Sequence, residues 1–213
     1  MRRLHLIATL AALALAGAPA GARAVAIPPS ADVGLPFWCD WSYDWESRCY
    51  RDDGTRLPIG GVDDKVWRAA LGFSLAAIPS TATITSAELR LRHDGTCVAP
   101  RLTAVPCAIG YVVDAHRILS PSWFRERELE FDERVVDTAV VFSGSTPQWL
   151  AWDVTSLVGG WHTGAVPNHG LLLKLQDGDE DYGVSGPYGP SAGHPDESPR
   201  PYLVVDYVST GSR

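Results

Sequence analysis

Two stretches of the chain carry an apolar residue at every second position. In VWRAALGFSL, Trp67, Ala69, Leu71, Phe73 and Leu75 fall on one side, with Arg68, Ala70, Gly72 and Ser74 on the other. In ITSAELRLRH, Ala87, Leu89 and Leu91 alternate with Glu88, Arg90 and Arg92. A period of two sends successive side chains to opposite faces, so both stretches predict half-buried antiparallel strands. IGYVVDA, VVDTAVVF, WLAWDV, GLLLKLQ and PYLVVDYV read as further strands. The intervening AIPST, HDGT, VPNHG, QDGDEDYG and GPYGPSAGHPDESPRP carry turn chemistry.

One short helix is predicted at TSLVGGWHTG. Thr155 is placed to cap it, Leu157, Val158 and Trp161 share a face, and Gly159, Gly160 and Gly164 limit its length. PSWFRERELEF reads either as a helical turn or as a loop crossing between sheets. Many short strands with almost no helix predict an all-β fold, an antiparallel β-sandwich of jelly-roll type with one short helix and long loops. Trp152 and Trp161 sit at apolar periodic positions and belong to the core. Asp153 is placed to bond backbone amides at the helix start. Asn168 and Gly170 suit a tight strand entry that favours positive φ.

Composition and charge place the chain outside the cell. Residues 1–24 form a signal peptide: Arg2 and Arg3 open it, Leu4 to Gly17 form its apolar run, and Ala18-Pro19-Ala20 and Ala22-Arg23-Ala24 both offer a small-x-small cleavage site. The run is too short for a membrane span, and the twin Arg lacks the rest of a twin-arginine motif. Cleavage after Ala24 removes three Arg and no acid, taking the formal charge from -7 to -10. An acidic surface of that kind repels phosphate backbones and anionic membranes, which excludes nucleic acid as a natural partner. Four Cys in an exported chain read as two disulfides. Cys39/Cys49 and Cys97/Cys107 give the simplest pairing, and the other two connectivities remain open. Residues 25–64 form an N-terminal stapled aromatic segment, 65–209 the sandwich, and 210–213 a tail.

The order of segments resembles a known family. WRAALGFSLAAIPSTATITSAELRLRHDG is similar to the first half of the DNRLRE domain, also classed as carbohydrate-binding module family 96. AWDVTSLVGGWHTGAVPNHGLLLKLQDG and RPYLVVDY are similar to its second half and closing strand. The resemblance spans roughly 65 to 207 and implies an exported β-sandwich, in some members one that binds acidic polysaccharides. The chain departs from the pattern at CYRDDGTRLPIGG and at YGVSGPYGPSAGHPDE.

Candidate chemistry is sparse. PFWCDWSYDWESRCYRDD, Pro36 to Asp53, concentrates Trp38, Trp41, Tyr43 and Trp45 between Cys39 and Cys49. It reads first as a stapled aromatic loop packed under itself and second as a platform for a sugar, with Tyr188 as a further candidate ring. Asp177, Asp179 and Asp181 alternate as the carboxylates of a calcium loop do. A solvated turn is the plainer reading, because the EF-hand Gly and Glu positions are not met. The five His outside the signal peptide form no HExxH or HxH arrangement, and no nucleophile elbow, P-loop or GxGxxG follows a strand. The residues predict no enzyme and no certain cofactor, with structural calcium as the one candidate.

The function these features suggest is a non-catalytic secreted module that binds a polysaccharide or cell-surface glycan. The alternative is a structural or adhesive envelope protein contacting other proteins. A polysaccharide-degrading enzyme is the weakest of the three.

Overall fold

The computed structural model of the chain describes residues 21–36, 54–62, 65–99, 103–121, 129–144, 146–180 and 186–209. The alternation in ITSAELRLRH becomes β6 (Ala82–His93), whose Ala87, Leu89 and Leu91 are buried. It lies in a four-stranded sheet of order β1-β14-β6-β11, with β1 at Ala22–Ile27, β14 at Tyr202–Ser209 and β11 at Gln148–Asp153. The second sheet has the order β10-β9-β12-β5-β2. Its strands are β10 (Phe131–Val141), β9 (Tyr111–Ile118), β12 (Leu171–Leu175), β5 (Lys65–Gly72) and β2 (Ala31–Pro36), and β4 (Gly60–Val62) adds a sixth against β5. All these pairings are antiparallel. Two small ladders flank the sandwich: β3 (Arg56–Pro58) with β13 (Tyr188–Pro190), and β7 (Thr96–Ala99) with β8 (Thr103–Pro106). The antiparallel β-sandwich is the fold the alternation predicts.

Leu89, Leu91, Leu150, Trp152, Leu203 and Val205 from the first sheet meet Ala69, Leu71, Val113, Ala115, Leu171 and Leu173 from the second. Trp152 bridges the two layers, its indole Nε1–H donating to Val113 O at 2.9 Å. The helix α1 (Thr155–Thr163) buries Leu157, Val158 and Trp161 and ends at Gly164, whose φ of 73° is left-handed. Thr155 does not cap it. Val154 holds the N-cap position, and the Asp153 carboxylate accepts the Thr155 N–H at 2.9 Å. Thr155 Oγ1 instead accepts the Ala87 N–H at 2.9 Å, fastening the helix to β6. At the entry to β12, Gly170 has φ 96°, and a Cβ there would stand 2.5 Å from Leu71 O. Asn168 Nδ2 donates to Phe73 O at 2.9 Å beside it.

The second sheet departs from the half-buried expectation. All five residues of β12 are buried, and Ala70, Ile118, Leu129 and Leu172 make a second apolar cluster on its outer face, with Ala31, Val33, Leu35 and Phe131 against them. The outer face is therefore a covered layer, and it carries the site described below.

The described N-terminal strands are built into the two sheets. β1 pairs with β14 from Ala22↔Val208 to Ile27↔Leu203, and β2 pairs with β5. Cleavage after Ala24 would remove three of the six β1 pairs, Ala22↔Val208, Arg23↔Tyr207 and Ala24↔Asp206. Cleavage after Ala20 would leave the strand whole. N-terminal sequencing of the exported protein is expected to begin at Gly21, and a chain beginning at Val25 would contradict this. The stretch 37–53, with Trp38, Cys39, Trp41, Tyr43, Trp45 and Cys49, lies outside the described residues. Cys97 and Cys107 are bridged across the β7–β8 hairpin, with Cα atoms 5.0 Å apart.

Candidate functional site: a polar recess on the outer face of the second sheet

Strand register fixes the site. His116 of β9 stands opposite Val135 of β10 and Leu172 of β12, and Leu172 opposite Ala70 of β5. Two residues along, Asp114 stands between Thr138 of β10 and Lys174 of β12. Because the side-chain period is two, these residues share the outer face, an apolar row beside a charged one. Arg68 of β5 joins the charged row, and a recess of about 520 Å³ opens over it, lined by Arg68, Asp114, His116, Phe131, Lys174 and Asp177 among others.

Each of the cations Arg68 and Lys174 in this recess pairs with a carboxylate. Arg68 donates twice to Glu180, from Nε to Oε1 at 2.8 Å and from Nη2 to Oε2 at 2.6 Å. Lys174 Nζ donates to Asp177 Oδ1 at 2.6 Å and to Leu175 O at 3.0 Å, and lies 3.6 Å from Glu180 Oε2. The guanidinium of Arg68 sits 5.2 Å over the Phe131 ring, and His116 meets the same ring edge-on at 5.2 Å.

Asp114 and His116 are not matched in the same way. Asp114 is 5% exposed and His116 3%. His116 Nδ1 lies 2.9 Å from Asp132 O. A carbonyl only accepts, so Nδ1 carries a proton. Among the described residues, His116 Nε2 and Asp114 Oδ1 are buried without a hydrogen-bond partner. A buried polar atom left so costs about 1–3 kcal/mol, and a fold that keeps two side by side on one strand calls for an explanation. Burial pushes the Asp114 carboxyl above its ordinary range, with His116 and Lys174 pulling it back.

The residues singled out from sequence fall elsewhere or at the rim. Tyr188 is 2% exposed in β13, with the Arg56 guanidinium 5.3 Å from its ring centre, so it presents no open face for stacking. Asp177 serves Lys174, Asp179 is half-buried in the following turn, and Asp181 lies outside the described residues. Among the described residues no group of three His, Cys, Asp or Glu is placed to hold a metal ion. Arg68, Asp114, His116, Lys174 and Glu180 were not singled out as site residues. The signal available was a lysine and an arginine inside apolar strand runs, where charge is rarely buried unless paired.

The TGF-beta propeptide family profile matches residues 55–205, from just before β3 into β14. The class defined by the fold is an antiparallel β-sandwich. The chain belongs to the TGF-beta propeptide family. This overturns the resemblance to the DNRLRE domain and carbohydrate-binding module family 96. With it go the polysaccharide or glycan partner and the carbohydrate-binding function, and the structural or adhesive envelope reading gains no support either. The pieces that carried the resemblance were alternating strands, the short helix with its Asn-x-Gly strand entry and a closing strand, which report the fold and not the partner. Among the described residues no helix is long and apolar enough to cross a membrane.

Proposed function

We propose that this chain is a non-catalytic, exported module of the prodomain kind, whose work is to hold a polypeptide partner. The observation that carries the reading is the propeptide match over residues 55–205. A propeptide accompanies a mature polypeptide, so the partner class is a growth factor of the TGF-beta kind. The signal-peptide pattern of residues 1–24 supports delivery outside the cell.

The surface best suited to that partner is strand β10. Among the described residues it pairs with β9 alone, so it is an edge of the second sheet. Val140 is 51% exposed and Phe142 just beyond the strand 70% exposed, with Ile109 just before the neighbouring strand also exposed. Apolar side chains gathered on a sheet edge mark a contact surface. Val140 O is held by Gln148 Nε2 at 3.2 Å and Asp137 Oδ2 by Asp153 N at 2.7 Å, which ties this edge to β11 and keeps it from splaying.

The test is complex formation between the exported chain and a mature TGF-beta polypeptide, followed by sedimentation. A complex is expected, and Val140→Asp with Phe142→Asp should weaken it about tenfold or more, equal to about 1.4 kcal/mol, without lowering the thermal midpoint. Absence of any complex would remove the reading.

A further inference from the structure

We infer that the recess between Arg56 and Arg92, at the C-terminal end of β6, receives the carboxylate of an acidic side chain presented by a polypeptide. The inference goes beyond the growth-factor reading and does not use the β10 edge. Strand β13 brings the two arginines together. Its Pro190 stands opposite Arg56 of β3, and its Gly189 packs on the end of β6, where a Cβ would stand 2.9 Å from Arg92 O. The loop after β13 builds the far wall, with His194, Asp196, Ser198 and Pro199 lining a recess of about 280 Å³. That loop is held in place, with the Ala192 N–H donating to Asp32 Oδ2 at 2.6 Å and Arg200 Nε to His194 O at 2.9 Å.

The donors select an oxyanion. The Arg56 guanidinium lies 5.3 Å from the centre of the Tyr188 ring, and that of Arg92 6.0 Å from the centre of the Trp149 ring. Such ring contacts use the flat face of a guanidinium and leave its five N–H donors, which lie in the plane, for another group. Arg90 and Arg200 pair with Glu88 and Glu197, whereas among the described residues Arg56 and Arg92 make no ion pair. Both are half-buried, so each has given up part of its water without a partner in return. The carboxylates that share the recess are engaged by their own turns. Asp94 Oδ1 accepts the Thr96 N–H at 2.8 Å and the Thr96 hydroxyl, and Asp196 accepts the Ser198 N–H at 3.0 Å and its hydroxyl at 3.1 Å. An entering cation would meet the two guanidiniums, while the Asp196 carboxylate that might attract it is exposed and screened by water. Asp94 and Asp196 also choose among oxyanions. They repel a doubly charged phosphate more than a singly charged carboxylate, whose two oxygens match the paired donors of one guanidinium. Trp149, exposed opposite Arg92 and edge-on to Tyr202 at 5.3 Å, offers apolar surface to the residue beside the acid, which favours a polypeptide over a free acid.

The experiment uses small probes on the exported chain, so that it does not depend on a growth factor. Acetyl-Phe-Glu-Gly amide, its Phe-Gln-Gly counterpart, sodium acetate and inorganic phosphate are each titrated at constant ionic strength. The Nε–H resonances of Arg56 and Arg92 and the indole N–H of Trp149 are followed by NMR. The Glu peptide is expected to shift all three saturably with a Kd on the order of 1 mM, about tenfold tighter than the Gln peptide and tighter than acetate or phosphate. Arg92→Gln is expected to abolish the difference between the two peptides. Arg92→Lys should keep only part of it, because an ammonium is a point charge and not a planar fork. No shift with the Glu peptide, or equal affinity for the Gln peptide, would overturn the inference, and both outcomes are read on the unsubstituted chain. Phosphate binding tighter than the Glu peptide would overturn the carboxylate, and acetate binding as tightly would overturn the polypeptide. A chain that binds the growth factor yet ignores the Glu peptide would overturn this recess alone. A chain that binds the Glu peptide but no growth factor would keep the recess and discard the growth-factor partner.

Discussion

Trp152→Ala is expected to lower the stability of the oxidised chain by about 3–5 kcal/mol, the upper range for truncating a large core side chain. Trp152 is among the largest fully buried side chains, on the inner face of β11 between Leu89 of its own sheet and the β9 layer. Two losses combine. The indole leaves a cavity bounded by two sheets that are each held in register by their own ladders, so neither can collapse freely into it. Val113 O also loses the indole N–H that reaches it across the layers at 2.9 Å. Trp161 provides the internal control, because it is also buried but its Nε1 has no hydrogen-bond partner. Trp161→Phe should therefore cost far less than Trp152→Phe, since it removes a buried donor that was never satisfied. Urea unfolding of the three variants checks the order. A Trp152→Ala loss below about 1 kcal/mol would mean that the sheets close over the gap.

What could be read in the sequence, and what could not, follows from how local each cause is. β6 was legible because one of its faces is core and the other carries Glu88, Arg90 and Arg92, so alternation survives in the letters. The end of α1 and the entry to β12 were legible because Gly164 and Gly170 are demanded by their own backbone angles. β12 was legible as a strand but not as a doubly buried one, since LLLKL has no alternation to show which face is which. The charged recess was hidden for a stronger reason. Arg68 and Glu180 are 112 residues apart, and nothing near either residue announces the other. Asp114 and His116 stand as D-x-H in IGYVVDA and the residues after it, an ordinary strand pattern until β10 and β12 align beside it. The family was misread on the same account, because strand alternation and turn entries report the fold and not the partner.

Glu180→Ala is expected to cost about 3–5 kcal/mol, the range for removing one member of a buried ion pair. The Arg68 and Glu180 side chains are 8% and 11% exposed, and Lys174 at 4% also faces the same carboxylate at 3.6 Å. Removing Glu180 therefore leaves two buried cations short of one carboxylate, and the penalty is the desolvation of charge already committed to the interior. Asp177→Ala makes the contrast. That carboxylate also bonds Lys174, but its side chain is 94% exposed, so water screens and replaces it at a cost of at most about 1 kcal/mol. Arg68→Met with Glu180→Leu should recover most of the loss, because an apolar pair of similar volume carries no desolvation debt and lies beside Phe131. Arg68→Met and Glu180→Leu, singly and together, define a cycle read by urea unfolding at fixed pH. If Glu180→Ala and Asp177→Ala cost the same, the pair is solvated and the recess is open water.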